Sequence, residues 1–489
     1  MGLTFRSCRS MSFVSKHYQM KKTTIFYQRN PGTDENRFSK VIFSLVLIVL
    51  FFAGCRKNDI PPFPGQVDKI KHVVVIYLEN HSFDNLYGQF AGANGLSNAS
   101  TSNTTQVDIS GNPYTFLPPV SGTLAFPTNL PNTYFNIDQY VPNDQMTPDV
   151  LHRYYQEQLQ IDGGKMDKYA LYNTSAGLSQ GYYKTSLLPL LNMAQNYTLC
   201  DNFFHSVFGG SFLNHMWLIA AASPVFPNAP VTSIAKLDAY GNLVTDGAVT
   251  PDGYVVNTSY SVNAPHPASA AIATLVPNQT LPTIGDRLSD KNVSWAWYSG
   301  GWDQALAGSP DPTFQFHHQP FIYFANYADG TKAKKDHLKD ESEFITAAKN
   351  GTLPSVSFIK PLGINNEHPG YSDVEGGENH TLELINDVLN GPNGDDAVII
   401  ITYDENGGFW DHVAPPVIDK KWGPGTRVPG IIISPFAKKG FVDHTQYETV
   451  SILSFIEKRW NLNPLSDRDK NANPFDNAFD FTNYTSNHK

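Results

Sequence analysis

Five short apolar runs recur along the chain: Val73–Leu78, Ser294–Tyr298, Val356–Ile359, Ala397–Tyr403 and Gly430–Ser434. Val73–Leu78 and Ala397–Tyr403 show no polar alternation, which predicts strands buried on both faces. Between the runs, apolar residues take the three-to-four spacing of helices. Such patterns cover Leu187–Ala194, Phe344–Lys349 with Gly351 as a stop, Thr381–Leu389 ending before Asn390-Gly391, and Thr445–Trp460. The last opens on Thr445-x-x-Glu448, a capping-box pattern, and carries Ile452, Leu453, Ile456 and Trp460 at helical spacing. Strands alternating with helices predict an α/β fold whose mostly parallel central sheet is covered on both faces. Two polar stretches rich in Asn, Thr and Pro, Gly92–Met146 and Ser223–Pro282, are too long for simple connections. They read as ordered insertions over the strand ends, where substrate is selected.

Two of the predicted strands end on acids. Ala397–Tyr403 runs into Asp404-Glu405 and then a Gly pair. Val73–Leu78 runs into Glu79-Asn80-His81-Ser82-Phe83-Asp84. Open α/β sheets bind ligands at the carboxyl ends of their strands. In one parallel sheet, Glu79, Asn80, Asp404 and Glu405 converge on one edge. Adjacent carboxylates repel, so a counter-charge is needed. Three carboxylates and an amide oxygen suit Mg²⁺, Ca²⁺ or Mn²⁺ rather than a thiolate metal. The alternative is that these are strand-end residues capping the next helix.

The chain has 489 residues, of which 16% are charged, enough for one large α/β domain or two smaller ones. The formal net charge is −10 and no basic stripe is present, which argues against nucleic acid as the main partner. Nothing in the sequence points to a protein partner. Basic residues precede the apolar run Val41–Ala53, too short to span a bilayer comfortably, and Gly54-Cys55 follows. This resembles a bacterial lipoprotein signal, with Phe52 where Leu is usual and Cys55 as the lipidated residue. A plain secretory signal is the alternative. The expected organisation is a signal over 1–54, a tether over 55–68 and one domain over 69–489. The expected location is extracytoplasmic, with the membrane reached through the lipid anchor. Of the three cysteines, Cys8, Cys55 and Cys200, only Cys200 falls in the domain, and it reads as a buried small hydrophobe.

Between the acid clusters, Gly209-Gly210-Ser211 precedes the apolar stretch after Asn214. Ser211 is thus placed at or near a helix N-terminus, where backbone N–H groups and the helix dipole favour an anion such as phosphate. A serine at a helix start is more often simply an N-cap. His152, the pair His317-His318 and His368 lie in polar settings. Each can satisfy loop backbone groups; together beside carboxylates they suit phosphoryl binding and proton transfer near neutral pH.

An ordered set of motifs carries a resemblance: Glu79-Asn80-His-Ser-Phe-Asp, Gly163-Gly-Lys-Met-Asp, Gly210-Ser211-x-x-Asn214, His317-His318-Gln-Pro, Glu367-His368-Pro-Gly and Tyr403-Asp-Glu-x-Gly-Gly-x-x-Asp-His-Val-x-Pro-Pro. From Lys69 to Leu462 the chain resembles the bacterial phosphoesterase family of phosphocholine-preferring phospholipases C and the acid phosphatase AcpA. The resemblance implies an alkaline-phosphatase-like three-layer α/β/α fold and a phosphate-ester or phospholipid substrate. It implies Ser211 as a transiently phosphorylated nucleophile, with Glu79, Asn80, Asp404, Glu405 and Ser211 at one divalent ion, Ca²⁺ or Mg²⁺ favoured. It implies His152, His317, His318 and His368 around the phosphate, one of them protonating the leaving oxygen. Asn214, one helical turn past Ser211, is expected to face the same pocket. His81 and His215 stand where the family often has Arg, and Leu213 where it often has Pro. Phospholipase C and phosphomonoesterase remain open within this reading. Tyr298, Trp302, Phe316 and Tyr323 are candidates for a choline cage. Two other readings are a phosphonate or sulfate ester hydrolase, and a non-catalytic lipoprotein binding lipid or glycan.

Overall fold

The computed structural model describes residues 66–121 and 125–482. The chain separates into two units, 1–61 and 62–489, and all described residues belong to the second. The signal segment, Cys55 and nearly all of the tether lie outside the described residues.

A nine-stranded sheet forms the centre. Its strands are β1 (His72–Leu78), β2 (Thr198–Phe204), β3 (Trp295–Ser299), β4 (Leu338–Asp340), β5 (Val356–Lys360), β6 (Ala397–Tyr403), β7 (Arg427–Ile433), β8 (Phe441–Asp443) and β9 (Tyr447–Glu448). Across the sheet they run β8-β2-β7-β6-β1-β5-β3-β4, with β9 also pairing to β2. Every residue of β6 and β7 is buried, as is β1 after His72, so both faces of the sheet are covered. All pairings are parallel except the two made by β7. A parallel neighbour needs a crossover, usually a helix. The segment between β6 and β7 carries none, so the chain returns antiparallel.

Four of the five expected strands occur within a residue or two of their expected bounds; the fifth, over Gly430–Ser434, begins earlier, at Arg427. Strand β2 was hidden in the sequence, because Asp201-Asn202 interrupts its apolar pattern. The helix expected over Thr445–Trp460 covers Thr449–Trp460, with Glu448 as its N-cap and Ser451 completing the capping box. Tyr447 and Glu448 are drawn instead into pairing with Phe203 and Phe204 of β2. The helix over Leu187–Ala194 shifts to Leu191–Asn196, and that over Thr381–Leu389 begins at Val374. Glu341–Asn350 ends on Gly351 in the left-handed region, as its stop predicts. Among the described residues of the two insertions, only those of 223–282 reach the cavity described below, through Val256, Asn257 and Thr258. Within 92–146, Leu96 packs instead with Ile161, Met166, Tyr169 and Trp410. No described helix is long and apolar enough to cross a membrane.

Candidate active site

Strands β1 and β6 run parallel in register, Leu78 opposite Tyr403. Glu79 and Asp404 therefore leave neighbouring strands side by side. Both are fully buried, as are Asn80 and Glu405. Asn80 adopts a positive φ of 65° and its N–H donates to Asp404 Oδ1 at 3.3 Å. The loop after β6 passes so close that a Cβ on Gly407 would lie 2.2 Å from the Asn80 carbonyl oxygen. Only glycine fits there, which is the physical reason for part of the Gly pair. Glu405 Oε2 accepts the Gly407 N–H at 2.5 Å.

Ser211 is the first residue of the helix Ser211–Ala220, and Gly210 is the N-cap. The serine hydroxyl is thus not a cap. It donates to Glu79 Oε2 at 2.8 Å. The turn before it is held by a distant carboxylate. Glu157 accepts the Gly209 N–H at 2.6 Å, His205 Nε2 at 2.8 Å, and the Thr426 N–H and hydroxyl at 2.9 Å each. A Cβ on Gly209, at φ 96°, would strike the Tyr154 backbone at 2.7 Å.

The first turn of this helix opens into a cavity of about 400 Å³. Its walls include Glu79, Ser211, His152, His317, His318 and His368, so residues from five separate parts of the chain meet. Asp149, Arg153, Asn257, Thr258, Gln315 and Tyr371 form more of the wall. His318 Nε2 lies 2.7 Å from Glu79 Oε1, and His368 Nε2 lies 4.0 Å from Glu79 Oε2. His152 Nε2 is 3.9 Å from Glu405 Oε1 and 3.3 Å from Asn80 Nδ2. The Nδ1 atoms of His152 and His368 sit on the carbonyls of Val150 and Pro369 at 2.5 and 2.6 Å. That arrangement turns His152 Nε2 toward Glu405 and His368 Nε2 toward Glu79. Burial pushes His318 down to about 4 and lowers His317 and His368 as well. These three imidazoles are neutral near pH 7, ready to accept or relay a proton rather than to supply fixed charge.

Fixed charge comes from a residue the motifs did not single out. Lys360, at the end of β5, is fully buried. Its Nζ lies 2.6 Å from Glu79 Oε1, 3.5 Å from Asp404 Oδ2 and 3.1 Å from the Leu78 carbonyl oxygen. A lysine closing the apolar run Val356–Ile359 was the available signal. Burial by itself would raise the Glu79 carboxyl, but Lys360 and His318 beside it hold it well below the usual range. Asp404 is pushed up to about 7 by burial and then by Glu79. Burial and Asp404 raise Glu405 well above its ordinary value. Glu405 Oε1 and Asn80 Oδ1 are buried without a hydrogen-bond partner. Buried, unpartnered oxygens beside carboxylates that resist ionising form a donor set that fits a hard divalent cation.

Other expected contacts are absent. Asn214 follows Ser211 by one turn, yet its side chain turns away from the cavity. Its Nδ2 donates to the carbonyls of Val207 and Gly209 at 3.1 Å each, and its Oδ1 accepts the Val207 N–H at 3.3 Å. It fastens the turn from within. Tyr298, Trp302 and Tyr323 are core residues, 5%, 2% and 0% exposed, and Phe316 packs on Phe314 and Tyr260, so these four form no cage around the cavity. His81 bonds Asn85 Oδ1 and the Glu367 carbonyl oxygen, and burial lowers it to about 4. His215 bonds the Ser211 carbonyl oxygen at 2.7 Å and stacks on His318. Burial depresses it strongly, so neither residue supplies the positive charge of an arginine. Among the described residues, three groups of His, Asp and Glu bring ligating atoms within 4.8 Å: Glu79-His215-His318, Asp149-His152-His368 and Asp84-Asp411-His412. The third is a structural knot, because Arg427 bridges Asp84 and Asp411 at 3.1 and 3.0 Å. Cys200 is buried in β2, and burial raises its thiol well above the ordinary value.

Residues 70–463 match the Phosphoesterase family. Among curated proteins, phospholipase C A of Mycobacterium tuberculosis is 25% identical, the match covering 86% of this chain and 79% of that one. Non-hemolytic phospholipase C of Pseudomonas aeruginosa is 23% identical over 81% of this chain and 55% of its own. A shorter match, 33% identical over 28% of this chain and 32% of the other, is to non-specific phospholipase C6 of Arabidopsis thaliana. Among solved structures, a protein in the alkaline phosphatase superfamily from Vibrio parahaemolyticus aligns over 67% of this chain and 72% of its own, at 10% identity and a TM-score of 0.33.

Proposed function

The chain belongs to the Phosphoesterase family and is a hydrolase acting on phosphoric ester bonds, and from that premise we propose that it is a metal-dependent phospholipase C working through a phosphorylated Ser211. One observation carries the reading. Ser211 stands at a helix N-terminus, is not its cap, and points its hydroxyl at a buried carboxylate on the wall of a histidine-lined cavity. Ser211 Oγ forms the new bond to phosphorus as the ester oxygen departs. Backbone N–H groups at the start of this helix stabilise charge on the phosphoryl oxygens. An imidazole among His152, His317 and His368 accepts the hydroxyl proton or relays one to the leaving oxygen. Water then cleaves the phosphoserine, releasing the phosphate product and restoring Ser211. Glu79, Asn80, Asp404, Glu405 and Ser211 would hold one divalent ion, Ca²⁺ or Mg²⁺ favoured. When bound it would lower the Ser211 hydroxyl pKa and offset phosphoryl charge. The wall is mostly polar, which suits a headgroup and leaves acyl chains outside.

The test compares p-nitrophenyl phosphorylcholine with p-nitrophenyl phosphate, with and without chelator. Chelator-sensitive turnover of the first supports the phospholipase C reading. Turnover of the second alone replaces it with a phosphomonoesterase. Acid-quenched reactions should contain phosphoserine at position 211 by mass spectrometry. We further propose that lipidation at Cys55 anchors the domain outside the cytoplasm, where phospholipid headgroups are locally concentrated. Cys55→Ser should abolish fatty-acid labelling; an unlabelled, soluble wild-type protein would refute the anchor.

A further inference from the structure

We propose that Lys360 is a built-in counter-cation that shares the buried acidic site with a single divalent ion and weakens that ion's binding. The inference rests on the metal reading given above. Three carboxylates directly follow the ends of β1 and β6: Glu79, Asp404 and Glu405, all fully buried. Lys360 is the only lysine or arginine among the described residues in contact with Glu79 and Asp404. The groups facing it are those two carboxylates, with His318 sharing Glu79 Oε1 at 2.7 Å and His215 near Asp404 at 3.8 Å. Lys360 Nζ, 2.6 Å from Glu79 Oε1 and 3.5 Å from Asp404 Oδ2, already turns a cation to two of the oxygens that a divalent ion would use. A second ion would have to displace that ammonium or sit beside it, which low-dielectric surroundings oppose.

Lys360 does not line the cavity, so it does not touch substrate. It acts through Glu79. By occupying Oε1, it leaves Oε2 to the Ser211 hydroxyl. A purely structural lysine would need only the Leu78 carbonyl oxygen and one acid to satisfy it. Here the ammonium bridges two acids that follow different strands, while Glu79 Oε2 accepts the Ser211 hydroxyl and Asp404 Oδ1 accepts the N–H groups of Asn80 and Glu405.

The test is a titration of the chelator-stripped protein with Mn²⁺, free Mn²⁺ being counted by electron paramagnetic resonance. Measurement at pH 8 limits competition from protons. Wild type should bind one ion per chain. Lys360→Met should bind Mn²⁺ at least about tenfold more tightly, or admit a second ion, since a positive charge a few ångströms away has gone. Lys360→Arg keeps the charge and should stay near wild type. Equal affinity and a single ion in wild type and K360M overturn the inference while leaving the metal reading intact. No Mn²⁺ uptake by wild type overturns both. If K360M does not fold, the wild-type stoichiometry decides, and two ions per chain overturn the inference.

Discussion

Ser211→Ala separates the chemical role of the hydroxyl from any structural one. The substitution removes one charge-assisted hydrogen bond, the 2.8 Å contact to Glu79 Oε2, worth about 1.5–3 kcal/mol. No helix cap is lost, because Gly210 holds that position. Alanine is the better helix former by about 0.5 kcal/mol. Glu79 is not stranded, since its Oε1 keeps Lys360 at 2.6 Å and His318 at 2.7 Å. The net destabilisation should be about 1–2.5 kcal/mol, a shift of only a few degrees in Tm for a domain of this size. Turnover should fall by at least about 10³-fold, as removal of a covalent nucleophile does, with the helix terminus and the histidines leaving a small residue. The assay pairs p-nitrophenol release from both substrates with urea melts of wild type and variant. A folded S211A that keeps more than about a tenth of wild-type kcat would refute the nucleophile, since nucleophile losses are orders of magnitude larger. A variant that fails to fold would show that the hydroxyl is structural after all.

Three further expectations follow from the same contacts. Glu157→Ala strands the Gly209 and Thr426 N–H groups and His205, so urea melts should show a loss of about 3–5 kcal/mol together with reduced kcat; a loss under about 1 kcal/mol would mean that Glu157 does not hold the Ser211 turn. Burial raises Glu378 to about 8 from an ordinary 4.5, so the folded state retains a proton that the unfolded state gives up; this contribution to stability is full below about 4.5 and is lost as pH rises from there through about 8. Glu378→Gln should flatten that part of the Tm–pH profile, and an unchanged slope would refute the assignment. Asp404→Asn and Glu79→Gln should each lower bound divalent metal, measured by elemental analysis, along with the rate; full activity in a metal-free preparation would sink the donor set.

Local pattern alone made several features legible. A contiguous β-branched run has only a buried strand to form, so β1 and β6 were readable to within a residue, as was the position of the acids at their ends. A Gly pair before an apolar helical stretch located the helix start at Ser211. These depend on neighbours in sequence, where backbone geometry is short-ranged. Tertiary packing decided the rest. It took β2 out of a run broken by Asp201-Asn202, and it shortened the last helix by pairing Tyr447 and Glu448 with β2. The capping role passed to Gly210, which freed the Ser211 hydroxyl for Glu79, 132 residues away. Packing also turned Asn214 inward onto its own turn, withdrew four aromatics from the cavity, and set Lys360 between two acids on different strands. Glu157 holds Thr426 across 269 residues of chain. Spacing cannot report such contacts, because the direction of a side chain and the partner it meets depend on elements that come together only when the sheet closes over its core.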